Sequence, residues 1–272
     1  MAWKTVARSS IGRTHIKKSL PCQDFAEIRE VSKGLIIGAC SDGAGSAQKA
    51  EVGAQQAVDA ALRSMTRHGF ALLKSEEEAR KTFLSVLAEV KENLAAAAEI
   101  HDVDVKQLNC TLLCFVATPR RLVAAQIGDG FLVFRRKPKA ATEEFALAAQ
   151  YELLFEPDRG EFANQTVFVT SSRAENALQV GLVKGDIDFV AAGSDGLLPV
   201  AVRYKDWSAH APFFAPFYTF LKDDPPQAEM ESEIDAFLAS DRLNKKTDDD
   251  KTLMLCYYSC GKEKEESSKK EQ

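Results

Sequence analysis

Three apolar runs of this chain end alike, in an aspartate followed by a glycine: LIIGACSDG over residues 35–43, LVAAQIGDG over 122–130 and DFVAAGSDG over 188–196. A fourth acidic point, Asp248-Asp249-Asp250, directly precedes the apolar run 252–258. Runs this short and this evenly apolar read as strands covered on both faces. Each aspartate therefore emerges at the end of a buried strand, where a bare charge is costly and demands a cation or dense hydrogen bonding. Asp-Gly is also a favoured hairpin turn. That plainer reading fits Asp129 best, with a strand on either side, and fits less well at Asp42, where a helix follows, and at Asp195, where LLP follows.

With 272 residues, 45% of them hydrophobic, the chain can bury a sizeable core. We find no linker, so residues 1–260 read as one domain and the almost wholly charged or polar 261–272 as a solvated tail. A net charge of -5 gives no basic field, which argues against a nucleic-acid or anionic-membrane partner. No apolar run approaches the roughly 20 residues of a membrane span, and the N-terminus turns polar at once, so a cytoplasmic, monomeric protein is expected. The cysteines lie mostly inside apolar runs and read as reduced, structural thiols; without a CxxC pair or clustered histidines, no zinc site is expected.

Residues 3–9 and 24–31 read as the first two strands, separated by the irregular stretch 11–23. Lys33-Gly34 turns into a third strand over 35–40. Ser46 is a candidate cap for the helix that follows, in which Ala50, Ala54, Ala57, Ala61 and Met65 recur at helical spacing. A second helix opens on the capping box Ser75-x-x-Glu78, buries Phe83, Val86, Leu87, Val90 and Leu94, and ends near 101–104. Residues 109–117, 121–127 and 131–136 read as a meander, with further strands over 145–154, 166–170, 178–183, 186–192 and 252–258. The aromatic, proline-bearing stretch after Asp195 predicts short helices, followed by one over 227–238. Connection lengths make the pairing mostly antiparallel.

Carboxylate oxygens gathered from several strand ends, with little His or Cys beside them, suit hard six-coordinate cations such as magnesium or manganese. Two such ions sharing one aspartate could hold a hydroxide-like water and clamp both oxygens of a phosphoryl displacement. Phosphate ester hydrolysis is the natural use.

Five stretches then occur in the order of a known family: Gln23-Asp24, Ser41-Asp42-Gly43-Ala44-Gly45, Gly128-Asp129-Gly130, Ser194-Asp195-Gly196 and Asp249-Asp250-Lys251-Thr252. In these the chain resembles the metal-dependent protein phosphatases of the PPM type, type 2C, and particularly their compact bacterial branch. The resemblance implies an α+β fold, a four-layer αββα sandwich of two mostly antiparallel sheets flanked by helices. It also implies hydrolysis of phosphoserine and phosphothreonine in a phosphorylated protein substrate by a water activated between two manganese or magnesium ions, with room for a third. Carried over, Asp42 would bridge two ions, Gly43 would offer its carbonyl, Asp195 and Asp249 would complete the first site, and Asp24 would sit among the waters of the second. Asp129 falls where the family holds a looser third ion, while its hairpin reading stands equally. Asp248 and Asp250 read as solvated neighbours of Asp249. A cognate protein kinase as partner is implied only by analogy.

The sequence departs from the family pattern at three places. The arginine that binds the substrate phosphate is here Ser19, leaving Arg13, His15, Lys17 or Lys18 to supply a cation; Arg13, Lys17 and Lys18 are the candidates, with Arg13 first for its bidentate geometry. Gln23 replaces the family glutamate, and Ala44 stands where some members place a histidine. These losses keep open an alternative, a phosphoprotein-binding regulatory module of the same fold with little or no turnover. A nucleotide-binding ATPase built on GACSDGAGSA is a poor third, because no GK[ST] follows.

Overall fold

The computed structural model describes residues 2–68, 75–137, 151–155 and 166–259. In chain order the elements are β1 (Ala2–Ser10), α1 (Arg13–Lys18), β2 (Asp24–Ser32), β3 (Leu35–Asp42), α2 (Ala50–His68) and α3 (Glu76–Ile100). A 3-10 turn (Val105–Leu108) leads into β4 (Leu112–Thr118), β5 (Arg121–Ile127), β6 (Phe131–Arg136), β7 (Tyr151–Leu153), α4 (Ala174–Ala177), β8 (Gln179–Lys184) and β9 (Ile187–Gly193). After a second 3-10 turn (Asp195–Leu197) come α5 (Leu198–Ala201), β10 (Val202–Arg203), β11 (Ser208–Ala209), α6 (Ala211–Lys222), α7 (Gln227–Ala239), α8 (Asp241–Asn244) and β12 (Lys251–Ser259).

Two five-stranded antiparallel sheets, β1-β12-β9-β6-β7 and β2-β3-β4-β5-β8, stack face to face. The unbroken apolar character of the strands has a simple cause, since each face meets a different core. Along β3, Leu35, Ile37 and Ala39 pack under α2 and α3, whereas Ile36 and Cys40 enter the inter-sheet core with Phe115, Met254 and Cys256. The other sheet presents Val133, Phe189, Leu253 and Leu255 to Phe214 and Leu221 of α6 and Ile234 and Leu238 of α7. Each such side chain contributes about 1.5–3 kcal/mol of burial. The expected αββα sandwich is the fold observed.

α3 begins as its sequence predicts, with Ser75 Oγ accepting from Glu78 N at 3.2 Å. α2 begins later than expected. Ser46 sits in a turn closed by Ala47 N donating to Ala44 O at 2.8 Å, and Gly53 N reaches back to Lys49 O, so Ser46 is not its cap. The stretch 11–23 is also not wholly irregular, because it holds α1. No strand forms over 166–170 despite its alternation: Val169 N donates to Cys110 O at 2.9 Å, Thr166 Oγ1 to Asp129 and Thr170 Oγ1 to Asn109, which tie the segment across a sheet end rather than along an edge. The expected strand 145–154 is described only from Tyr151, and the tail 261–272 lies outside the described residues.

The meander expectation fails after β5. β5 pairs with β4 and β8, and β6 with β9 and β7, so the Gly128-Asp129-Gly130 link crosses from one sheet to the other and is no hairpin. Adjacent strands in sequence need not be adjacent in a sheet, which the turn signal alone does not reveal. Antiparallel pairing then brings the acidic ends together. β2 starts where β3 ends, with Asp24 and Asp42 as direct partners, and β12 starts where β9 ends, with Leu253 opposite Gly193.

Candidate active site

Asp42, Asp129, Asp195 and Asp249 line one cleft of about 400 Å³ at this end of the sandwich, with Gly43, Thr14, His15, Lys18, Thr166 and Phe168 on its walls. Asp42 is fixed through its backbone, its N–H donating to Thr111 Oγ1 at 2.9 Å and its carbonyl accepting from Thr111 N at 2.8 Å. Beyond it the chain passes so close to α2 that a Cβ on Gly43 would lie 2.5 Å from the Ala50 carbonyl oxygen; only glycine allows that approach. The crossover bearing Asp129 turns at Gly128, with φ +109°, and Gln126 Nε2 holds it by donating to the carbonyls of Gly128 and Gly130, each at 3.0 Å. Asp249 is exposed on a loop held from beneath by the buried Lys251, whose Nζ donates to Asn244 Oδ1 at 3.0 Å and Asp249 O at 3.3 Å.

Asp24 lies deeper, fully within the protein. Its Oδ2 accepts from Ser194 Oγ at 2.6 Å and Thr252 Oγ1 at 2.8 Å, while Oδ1, like Asp195 Oδ1, is buried without a hydrogen-bond partner among the described residues. Burial, and then the neighbouring carboxylates, push these acids upward. Desolvation first, then Asp24, Asp195 and Asp249, hold Asp42 far above the usual carboxylate range. Asp24 rises to about 7 through burial and the charges of Asp250 and Asp195. Asp195 rises to about 6 through burial and the charges of Asp129 and Asp249.

Acids crowded this way cannot all ionise beside one another unless a cation compensates them. The donor set is oxygen alone, two of its buried oxygens are orphaned, and the cleft is open to solvent; these residues fit a hard divalent cation. Among the described residues, no three His, Cys, Asp or Glu side chains already converge on one point at ligating distance.

The basic residues of α1 part company. Lys18 lines the cleft. Arg13, first choice from sequence, turns instead to Asp241 at the start of α8, 3.2 Å away, and Lys17 is exposed without lining the cleft. Asp250 is not a solvated neighbour of Asp249 either: it is 2% exposed, because its Oδ1 accepts from Gly12 N at 2.6 Å and its Oδ2 from Gln23 N at 2.6 Å and His15 Nδ1 at 2.9 Å. Sequence reasoning missed His15 and Asp250 as a pair, and missed Thr111, Gln126, Ser194 and Thr252 as the groups that hold the acids. A polar residue inside an apolar run, as at Gln126, was the one local signal for these.

Residues 11–239 match the family described as protein phosphatase 2C. The chain is 32% identical over 266 residues to serine/threonine-protein phosphatase 3 of Escherichia coli (strain K12), covering 95% of this chain and 99% of that protein. Among solved structures it is similar in fold to the S. agalactiae serine/threonine phosphatase, with a TM-score of 0.64 at 14% identity over 94% of this chain and 100% of that one. A serine/threonine phosphatase from Staphylococcus aureus superposes with a TM-score of 0.62 at 14% identity over 95% of this chain and 96% of its own.

Proposed function

The chain belongs to the protein phosphatase 2C family and is a serine/threonine-protein phosphatase, and from that premise we propose that the acidic cleft is its catalytic centre and that manganese or magnesium is its cofactor. The observation that carries the reading is the gathering of Asp24, Asp42, Asp195 and Asp249 from separate strand ends, with one buried oxygen each on Asp24 and Asp195 that has no hydrogen-bond partner among the described residues. Asp42, Asp195 and Asp249, with the Gly43 carbonyl, would hold one ion, and Asp42 would share a second, with Asp24 among its waters; Asp129 is the candidate for a third. When bound, such ions lower the pKa of a water and draw charge from the phosphate oxygens.

The chain's own residues do the rest. Ser194 and Thr252 keep Asp24 Oδ2 engaged, so that Oδ1 is the oxygen offered to a ligand. Thr111 fixes the backbone of Asp42, and Thr166 Oγ1 donates to Asp129 Oδ2 at 2.7 Å. The Lys18 ammonium, on the cleft wall, meets the incoming phosphate dianion in place of the missing arginine. Asp250 holds His15 Nδ1 and so orients the ring, whose Nε2 is the nitrogen left to face the substrate and hand a proton to the departing serine or threonine oxygen.

The phosphoprotein-binding module is not favoured, since Asp42, Asp195 and Asp249 share one cleft and the curated relative is named a phosphatase. A cognate kinase remains a proposal from family analogy. Among the described residues no helix is long and apolar enough to cross a membrane. The deciding assay is phosphate release from a phosphothreonine peptide. Release that needs manganese or magnesium and stops with chelator is expected; release indifferent to chelator would remove the metal from the reading.

A further inference from the structure

Few large apolar side chains are left in solvent among the described residues, and two of them, Ile16 (57% exposed) on α1 and Leu20 (36%) just past its C-terminal cap Ser19, lie four residues apart. A helix this short would be expected to roll and bury such groups, at about 1.5–3 kcal/mol each. It is prevented from rolling. Thr14 N donates to Asp248 O at 3.0 Å, His15 is held by Asp250, and Gly12 packs so tightly on the backbone of residues 248–249 that a Cβ there would lie 2.2 Å from the Asp249 carbonyl carbon. The pinned side of α1 gives His15 and Lys18 to the catalytic cleft. The opposite side, carrying Ile16 and Lys17, is thereby fixed outward, and the exposed Leu20 follows just past the helix end.

The charge of this turn is opposite in sign to the net charge of the chain. The chain has a net charge of -5, yet residues 12–22 contain no acid, and Lys17 and Lys18 are both exposed. A rigid apolar and basic lip, continuous with a cleft that takes a phosphate, is complementary to an acidic, partly apolar chain entering that cleft.

We propose that the exposed Ile16 and Lys17 of α1, with the exposed Leu20 just past its end, form the docking surface for the stretch of a phosphoprotein that flanks its phosphorylated residue, and that this surface selects an apolar side chain beside an acidic one. This rests on the phosphatase reading of the cleft. Lys17, set aside as a phosphate ligand, acquires a role in choosing the substrate.

The test compares wild type, the double variant Ile16→Ser/Leu20→Ser and Lys17→Glu on three phosphothreonine peptides and on p-nitrophenyl phosphate, with manganese saturating. The peptides carry Leu and Glu, Leu and Lys, or Ser and Ser beside the phosphothreonine. Wild type should prefer the Leu-Glu peptide in kcat/KM by about tenfold over Ser-Ser. The double variant should lose that preference while hydrolysing p-nitrophenyl phosphate as wild type does, and Lys17→Glu should reverse the choice between Glu and Lys. Wild type indifferent to the flanking residues, or a double variant impaired equally on p-nitrophenyl phosphate, overturns the proposal. A concentration-dependent wild-type dimer that the double variant abolishes, with peptide kinetics unchanged, overturns it in favour of a second copy of this chain. Should no substrate release phosphate, the phosphatase reading itself fails, and equilibrium binding of the same peptides decides the surface: equal affinity for all three overturns it, and preference for Leu-Glu lost in the double variant supports it.

Discussion

Asp250 and Asp24 are both buried aspartates beside the same cleft, and their surroundings treat them in opposite ways. Asp250 meets three donors over its two oxygens, from Gly12, Gln23 and His15, and so works as an anchor that ties α1 and the start of β2 to the head of β12. Asp24 meets hydroxyls on one oxygen only and faces like charges. A buried carboxylate with both oxygens answered stabilises a fold, whereas one left half answered among other acids is a cost that a ligand can relieve. The difference separates a structural acid from a functional one in the same few ångströms of protein.

The sharpest break would come from exchanging the two kinds. Asp42→Asn, on the functional side, should lower manganese-dependent phosphate release by more than about a hundredfold, beyond what changes behind a metal ligand cost. The chelated variant should melt at or above the wild-type temperature, because one of the crowded charges is gone. Asp250→Ala, on the anchoring side, should cost about 3 kcal/mol in denaturant unfolding, from three donors left unmet at about 1 kcal/mol or more each. A destabilised Asp42→Asn, or an Asp250→Ala as stable as wild type, would erase the distinction.

A second prediction follows the functional acids through pH. Their folded pKa values, about 7 for Asp24 and about 6 for Asp195, lie above the unfolded value near roughly 3.9. Groups raised on folding contribute stability that is complete below the unfolded value and lost as pH rises through the folded one. The chelated protein should therefore lose stability between pH 4 and about pH 7, and manganese should flatten that slope. Thermal melts across this range, with and without metal, check it; a chelated protein that gains stability over the interval contradicts the assignment.

The smallest effect expected separates the two cations of α1. Lys18→Ala should raise the KM for a phosphopeptide about tenfold with metal saturating, as loss of one charge-assisted contact does. Arg13→Ala should leave the kinetics nearly unchanged, since its partner Asp241 is exposed and such pairs contribute about 0–1 kcal/mol. Steady-state kinetics on one phosphopeptide read both, and a larger effect at Arg13 would reverse the order.

What the sequence by itself determined is local in origin. Unbroken apolar runs made strands covered on both faces, Ser75 and Glu78 opened a helix, and Asp42 and Asp195 were legible because each closes such a run before glycine. Tertiary structure decided everything that depended on residues distant in the chain. It made Asp250 an anchor and left its neighbour Asp249 exposed, through bonds from Gly12, His15 and Gln23 that span more than two hundred positions. It carried Asp129 from one sheet to the other rather than around a hairpin, turned Arg13 away to Asp241, and fixed Lys18 in the cleft. The physical reason is that periodicity and turn chemistry specify how a segment folds on itself. Which carboxylate receives a partner depends on which strand ends the antiparallel pairing brings side by side.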